Sequence, residues 1–327
     1  MTAVLGIDVA KETLVVALLG SATPRKRSFP NTPTGHQELL TWLGKQHLSE
    51  IQVCLEATGS YGEAIAEALH DAGYWVSVVN PARIAAYAKS RLSRNKTDAA
   101  DAVLIAQFAQ SEQPPLWTPP APELRELRAL LRHLEALLAQ RQAERNRQAA
   151  GPHPTAVAQA LAAHLVFLSE QIATLEQAIS EHIDRHPDLK RDQELLRSIS
   201  GIGERTATRL LAESGDRERF ADARAWAAYA GLTPRQHRSG SSVQGRTRLS
   251  KVGNAALRAA LYFPAIVAKK HNPVIRAFCA RLAARGLAPK AVIGAAMRKL
   301  LHLAYGVLKS GQPFDPGRAL QDSTRQA

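Results

Sequence analysis

The stretch that decides the fold of the N-terminal region is GIDVAKETLVVALL, residues 6–19. An apolar run that contains Asp8 is followed, after a short polar break, by a second apolar run from Leu14. Two such runs so close together predict a pair of β-strands, at 3–9 and 13–19. A carboxylate inside an apolar strand is costly unless something satisfies it, so Asp8 is expected to have a partner.

A mixed sheet is expected to continue beyond this strand pair. Two further apolar runs, 51–56 and 75–79, predict strands, and segments of helical periodicity alternate with them. A strand–turn–strand unit followed by strand–helix units is typical of a mixed α/β sheet, which we predict for a domain of residues 1–112. The predicted helices are 35–47, 61–72 and 97–110.

The next region, residues 113–187, is predicted to be a proline-rich linker followed by two long helices. Leucines recur every three or four residues, the pattern fades within RQAERNRQAAGPHP (141–154), which predicts a turn, and it resumes beyond. Two such helices form either a local hairpin or a coiled coil between chains, and the pattern leaves both open. The linker prolines are Pro114, Pro115, Pro119, Pro120 and Pro122, and the periodic positions are Leu124, Leu127, Leu131, Leu134, Leu138, Leu161, Leu165, Leu168, Ile172, Leu175 and Ile179.

The third region, residues 188–327, is predicted to be mainly helical and to include a helix, a glycine turn and a helix over LLRSISGIGERTATRLLAES (195–214). Gly201 and Gly203 permit a tight turn, and free backbone N–H groups at the start of the next helix can hold a phosphate. The segment resembles the helix-hairpin-helix DNA-binding motif, with a plain helical turn as the alternative. Further apolar helices are predicted at 253–270 and 287–309.

Charge is distributed unevenly along the chain. The net formal charge of all 327 residues is +13, whereas residues 231–327 alone carry 17 Lys and Arg against two acids, a balance of +15. A basic segment with so few acids favours a polyanionic partner, above all nucleic acid, over a merely solvated surface.

The two cysteines, Cys54 and Cys279, lie far apart among apolar residues and are predicted to be reduced core thiols of a cytoplasmic protein. No Cys/His spacing is typical of zinc. Neither a signal peptide nor an apolar run long enough to span a membrane is expected, so no membrane partner is predicted.

Four acidic residues of the first domain are candidates for a metal site. Asp8 lies inside an apolar strand and Glu56 ends another, while Asp98 and Asp101 lie at the start of a predicted helix, spaced to share one face. Taken singly, Asp98 is explained as a helix cap and Glu56 as a solvated strand end. Taken together, oxygen ligands from several elements suit Mg²⁺ or Mn²⁺, and such ions assist phosphodiester chemistry.

Three motifs in order, GIDVAK, LEATGSYG and KTDAADAVLIAQF, resemble the Asp-Glu-Asp-Asp (DEDD) transposases of bacterial insertion sequences, relatives of the Piv-type DNA invertases. The resemblance runs from the N-terminus to roughly residue 310. It implies an RNase H-like, RuvC-like α/β fold for the first domain, a coiled-coil oligomerisation region for the second and a helical transposase domain for the third. It also implies that the metal ligands are Asp8, Glu56, Asp98 and Asp101.

A fourth motif, AGLTPRQHRSGSSVQGRTRLSKVGNAALRAALY (230–262), is predicted from its residues to be a basic, Gly/Ser-rich loop between helices. The resemblance implies a serine nucleophile after GLTPR, which attacks a DNA phosphate and forms a covalent phosphoserine. The matching position is Ser239. Ser241 and, more weakly, Ser242 are alternatives, because many relatives have a second glycine where this chain has Ser241. The residues predicted to clamp phosphates are Arg235, Arg238, Arg246, Arg248 and Lys251.

The resemblance further implies donor and target DNA as substrates, a structured noncoding guide RNA (a bridge RNA) as partner, and a homo-oligomer, dimer or tetramer, in the bacterial cytoplasm. Two other enzymes remain open as alternatives: a Holliday-junction-type endonuclease that uses only the acids and water, and a site-specific DNA invertase. A non-catalytic nucleic-acid-binding protein is the third alternative.

Overall fold

A computed structural model describes residues 3–20, 23–46, 48, 50–57, 59–91, 97–215, 219–239 and 243–317, with backbone alone for residues 60, 236–239 and 243–247. The chain divides into two compact units, Met1–Pro119 and Pro120–Ala327. The second unit therefore contains both of the helical regions that the sequence predicts. The boundaries predicted at residues 112 and 187 stay predictions.

The first unit is built on a five-stranded mixed sheet in the order β3-β2-β1-β4-β5. β2 is antiparallel to both β1 and β3, and β4 is parallel to both β1 and β5. This is the mixed α/β sheet expected of an RNase H-like domain, and all four predicted strands are confirmed. The strands are β1 (Ala3–Val9), β2 (Thr13–Leu19), β3 (Arg25–Pro30), β4 (Ile51–Glu56) and β5 (Trp75–Val79). The sequence does not predict β3, because this edge strand is charged and only Phe29 of it is buried.

Helices cover both faces of the sheet. Leu5 and Ile7 of β1 point to the face that packs against Leu39 of α1 and Ile65 of α2, whereas Val4 points to the opposite face, towards α3 and α4. The helices are α1 (Pro33–Gly44), α2 (Glu63–Asp71), α3 (Pro81–Ser90) and α4 (Asp98–Glu112). Three of the four are predicted within a few residues. The exception is α3, a short helix that buries only Ile84.

Gly6 allows α4 to lie directly on β1. A Cβ atom placed at Gly6 would lie 2.1 Å from the carbonyl oxygen of Ala102 and 2.5 Å from the amide nitrogen of Ala106. Both atoms belong to the backbone of α4, which has no flexible side-chain end to move aside. The absence of a side chain at Gly6 therefore fixes how closely this helix approaches the central strand.

We expect Gly6→Ala to lower the free energy of unfolding by about 3 kcal/mol, because overpacking against rigid backbone must displace α4. Urea denaturation followed by circular dichroism measures the loss. The matched control is Gly44→Ala in α1, where a Cβ meets nothing within 4 Å and helix propensity favours alanine by up to about 1 kcal/mol. Equal stabilities of the two variants would contradict this account of Gly6.

The second unit contains nine helices and a two-stranded hairpin among its described residues 120–215, 219–239 and 243–317. Its core joins the helices after α6, and the buried face of α13, with Leu300, Leu301 and Ala304, lies at its centre. The elements are α5 (Pro122–Ala149), α6 (Thr155–Arg185), α7 (Pro187–Arg197), α8 (Glu204–Ser214), α9 (Ala223–Tyr229), β6 (Pro234–Ser239), β7 (Val243–Leu249), α10 (Ala255–Ala260), α11 (Tyr262–His271), α12 (Pro273–Ala284) and α13 (Pro289–Ser310).

The two long helices α5 and α6 pack against each other within the chain through their periodic leucine and isoleucine positions, including Leu127, Leu134, Leu168 and Ile172. The local hairpin that the sequence leaves open is therefore formed, and a seam between chains stays a prediction. The turn predicted at 141–154 is wrong in extent, because α5 continues to Ala149. Its last turns are polar but, apart from Asn146, consist of good helix formers, so the helix continues beyond the apolar pattern.

Two helices, α6 and α13, are long and apolar enough to cross a membrane by length and composition alone. The expectation that no apolar run reaches this length is therefore wrong. Half of the apolar window of α13 is buried inside the second unit, compared with 11% of the apolar window of α6. The helix α6 packs one stripe of its surface against α5.

Candidate active site

Asp8 and Glu56 lie at the carboxyl ends of two adjacent parallel strands. Gly6 of β1 pairs with Cys54 of β4. Side chains alternate along a strand, so Asp8 and Glu56, two residues further on, share the face of Gly6 and Cys54. Both carboxylates are partly buried, and each takes part in a polar or electrostatic interaction within the structure. The fold therefore makes neighbours of two acids that are 48 residues apart in the sequence.

Asp98 and Asp101 occupy the first turn of α4, the helix that crosses this same face. The Thr97 hydroxyl caps the helix by accepting a hydrogen bond from the amide of Ala100 at 3.2 Å, so Asp98 is not needed as the cap. Gly6 contacts α4 at Ala102 and Ala106. Val4, earlier on the strand, belongs to the cluster of later α4 residues. The helix thus runs antiparallel to β1, and its acidic first turn extends towards the strand end that carries Asp8.

The four carboxylates come to one edge of the sheet but do not close around a single point. Within the described ranges of the chain, no three His, Cys, Asp or Glu side chains lie close enough to hold one metal ion. Residues 92–96, which precede α4, are outside the described residues. The chemical type of the four side chains fits Mg²⁺ or Mn²⁺, because these ions prefer carboxylate oxygens.

Cys54 lies on β4, two residues before Glu56, and is a core residue, as the sequence predicts. It is completely buried, and burial raises the pKa of its thiol to about 12, a shift that the positive charge of Arg83 partly opposes. Burial also raises the pKa of Cys279 in the second unit. Both thiols are free and stay protonated at neutral pH, so neither is suited to act as a nucleophile or a metal ligand.

Ser239 is the last residue of β6, and its backbone pairs with Val243 at the start of β7. The predicted loop is therefore wrong in part, since residues 234–239 and 243–249 form an antiparallel hairpin. The hairpin is hard to predict because its strands are rich in Arg, Gln and Ser and lack apolar alternation. Ser241 and Ser242 lie outside the described residues, and of Ser239 the backbone alone is described.

Two of the predicted phosphate-binding arginines face each other across the hairpin. Arg235 on β6 pairs with Arg248 on β7, and both are exposed. Arg238 lies on β6 and Arg246 on β7, in the part described by backbone alone. Lys251 follows β7 and is exposed. The hairpin thus presents a doubly basic pair at its base, a charge pattern that suits a polyanion.

α13 contributes basic residues beside the hairpin that lie outside the sequence motifs. Arg298 Nη1 donates to the carbonyl oxygen of Leu232 and to the Thr233 hydroxyl, each at 3.4 Å. Burial lowers the pKa of Arg298, assisted by the positive charge of Arg224. Burial likewise lowers the pKa of His302 to about 4, and its cationic neighbours, Arg298 first among them, act in the same direction. His302 is therefore neutral at pH 7.

The predicted order of helix, glycine turn and helix is formed by α7, the turn and α8, whereas the helix-hairpin-helix motif stays a prediction. The two glycines of the turn differ in role. Gly201 has φ of 110°, and a Cβ there would lie 2.6 Å from the Cβ of Ala268 on α11. Packing against α11 thus explains Gly201. Gly203 precedes α8, is exposed, and a Cβ there would meet nothing within 4 Å. Of the two, Gly203 has its surface open to a ligand.

Comparison with family models gives two matches along the chain. Residues 5–150 match the DEDD transposase model of IS110 type, and residues 193–280 match the transposase model of the IS116/IS110/IS902 family. The first match includes all four acids, and the second includes the glycine turn and the β6–β7 hairpin.

Several relatives align over most of the chain. The pilin gene-inverting proteins of Moraxella bovis and Moraxella lacunata are each 36% identical over 314 residues, which is 95% of this chain and 97% of theirs. The transposase for insertion sequence element IS1328 of Yersinia enterocolitica is 28% identical over 65% of this chain and 70% of its own. Among solved structures, RuvC of T. thermophilus in complex with a Holliday junction substrate covers 34% of this chain and 96% of its own, at 16% identity and a TM-score of 0.27.

Proposed function

Because this chain belongs to the IS110 family of DEDD transposases, we propose that it cuts and rejoins DNA strands by serine attack, assisted by a divalent cation at the acidic edge of its first unit. The observation that carries the proposal is the placement of Asp8 and Glu56 side by side, beneath the helix whose first turn holds Asp98 and Asp101. Two adjacent strand ends and the first turn of one helix thus supply all four acids.

The proposed chemistry is a transesterification. The Ser239 hydroxyl loses its proton to a base and its oxygen forms a bond to the DNA phosphorus, while the bond from phosphorus to one deoxyribose oxygen breaks and that oxygen takes up a proton. The phosphodiester energy is kept in the phosphoserine, so a second DNA hydroxyl can reverse the step and rejoin the strands. Mg²⁺ or Mn²⁺, held by Asp8, Glu56, Asp98 and Asp101, would supply positive charge to the phosphate.

The other residues of the proposal bind and orient nucleic acid. Arg235 and Arg248 are exposed on facing strands and would hold phosphates on either side of the scissile bond, with Lys251, Arg238 and Arg246 extending the basic surface. Gly203 at the start of α8 would offer backbone N–H groups to a further phosphate. A noncoding guide RNA that selects donor and target DNA, and a homo-oligomer, complete the proposed assembly.

A DNA invertase is the second candidate function. Two relatives that align over nearly their whole length are named for inverting a pilin gene. Inversion and transposition use the same cutting and rejoining steps and differ in which ends are joined. A junction-resolving nuclease differs in its chemistry, because water is then the nucleophile and no covalent adduct forms.

The test is recombination by the purified chain on a plasmid that carries the DNA flanking its own gene. We expect Mg²⁺-dependent strand exchange, and on nicked suicide substrates a protein–DNA adduct that survives denaturing electrophoresis. EDTA is expected to abolish both while leaving DNA binding intact. Reactions with and without RNA transcribed from the flanking region test the guide. Mg²⁺-dependent cleavage without an adduct would identify a nuclease, and binding without cleavage a non-catalytic protein.

A further inference from the structure

We propose that Arg258 is a positioning residue that locks the base of the β6–β7 hairpin and thereby sets where Ser239 meets the DNA phosphate. The inference rests on the proposed function. Arg258 Nη1 donates one hydrogen bond to the carbonyl oxygen of Ala230, at 3.1 Å, and another to that of Lys251, at 3.2 Å. Ala230 precedes the hairpin and Lys251 follows it. One nitrogen therefore ties the chain entering the hairpin to the chain leaving it.

The backbone around Arg258 is shaped to admit its guanidinium group. Gly231 has φ of 69°, and a Cβ there would lie 2.5 Å from Arg258 Nη1. Lys251 has φ of 58°, a left-handed conformation that non-glycine residues rarely adopt. Its amide donates to the carbonyl oxygen of Gly231 at 3.1 Å, and its own carbonyl oxygen accepts from Arg258. Arg258 thus holds an unfavourable backbone conformation in place.

The helix that carries Arg258 is itself anchored. Asn254 caps α10, because its Oδ1 accepts from the amide of Leu257 at 2.9 Å. Its Nδ2 donates to Glu213 Oε2 on α8 at 2.8 Å, and its backbone amide donates to the carbonyl oxygen of Tyr229 at 2.7 Å. Arg258 is therefore presented to the hairpin from a helix fixed to α8 and α9.

A fixed hairpin base matters because a small tilt at the base produces a larger displacement at the far end of the hairpin. A two-stranded hairpin by itself is marginally stable in water. β6 has six residues, which span roughly 20 Å, so a tilt of about 5° at its base moves Ser239 by about 2 Å. Displacements of about 1 Å at a reacting group can cost about 100-fold in rate. Loss of the tie at Arg258 should therefore slow the attack of Ser239 without removing any group that touches DNA.

The test compares Arg258→Ala with Arg285→Ala, which removes the same charge at an exposed position after α12. Hydrogen exchange reports the hairpin base through the amides of Ser250 and Lys251, which donate to Thr233 and Gly231. Single-turnover adduct formation at saturating DNA reports the chemistry. We expect Arg258→Ala to speed exchange at both amides and to slow adduct formation about 100-fold, with DNA affinity within twofold of wild type. Arg285→Ala should change none of these.

Two results would overturn the inference. If Arg258→Ala forms the adduct at the wild-type rate, the hydrogen bonds from Arg258 to Ala230 and Lys251 are dispensable. If the variant binds DNA more weakly but forms the adduct at the wild-type rate at saturating DNA, Arg258 is a phosphate contact. If Arg258→Ala does not fold, Arg258→Lys, which keeps the charge but not the planar fork, must still slow the saturated rate. Failure of the wild-type chain to form any Ser239 adduct would overturn the proposed function, whereas exchange at Ser250 and Lys251 still decides whether Arg258 holds the hairpin.

Discussion

Replacement of Ser239 by alanine is expected to abolish the covalent protein–DNA adduct and to reduce strand exchange by at least about 10⁴-fold, because the attacking oxygen is removed and no other group replaces it. Adduct formation on a nicked suicide substrate, followed by peptide mapping of the modified residue, measures the effect. The substitution removes a single oxygen atom from the last residue of β6 and is therefore a small change to the chain.

Ser241→Ala is the matched control for Ser239→Ala. It removes a hydroxyl two residues away, and we expect it to retain adduct formation within a few-fold of wild type. The reverse result, with Ser241 essential and Ser239 dispensable, would move the nucleophile to Ser241. Cleavage that survives both substitutions would show that water is the nucleophile. The acids would then form a nuclease site.

Replacement of Asp8 by asparagine is expected to lower the rate of cleavage by about 10²–10³-fold, a loss of the size found when one group that stabilises transition-state charge is removed from an active site. The amide keeps the shape of the carboxylate but loses its charge, so it is a poorer ligand for Mg²⁺. We expect DNA binding to persist, because the basic residues of the second unit are untouched. Single-turnover cleavage across a Mg²⁺ titration measures the effect.

The matched control for Asp8→Asn is Asp71→Asn, at the exposed end of α2 in the same unit, where 78% of the side chain is accessible. It removes the same charge away from the acidic edge and should leave the rate unchanged. Circular dichroism of both variants separates a catalytic loss from unfolding. If Asp8→Asn cleaves DNA at the wild-type rate, Asp8 is not an active-site residue and its carboxylate has a structural role.

The four strands that the sequence predicts in the first unit share one property. Each is an apolar run that becomes a buried strand, so hydrophobic pattern alone identifies it. The two strands of the hairpin and the edge strand β3 lack that pattern. Their residues are charged and largely exposed where described, so their pairing depends on backbone hydrogen bonds to neighbours, which no local pattern encodes.

The same division holds for the candidate site. Asp8 is recognisable in the sequence because an acid in an apolar run is costly, and Asp98 and Asp101 because their spacing shares a helix face. Sequence alone thus determined the α/β character of the first unit, the helical character of the second, the acidic residues and the basic C-terminal segment. Tertiary structure alone decided that Glu56 adjoins Asp8 and that Arg258 ties both ends of the hairpin. The physical reason is that these are contacts between residues distant in the chain, made by strand register and helix packing.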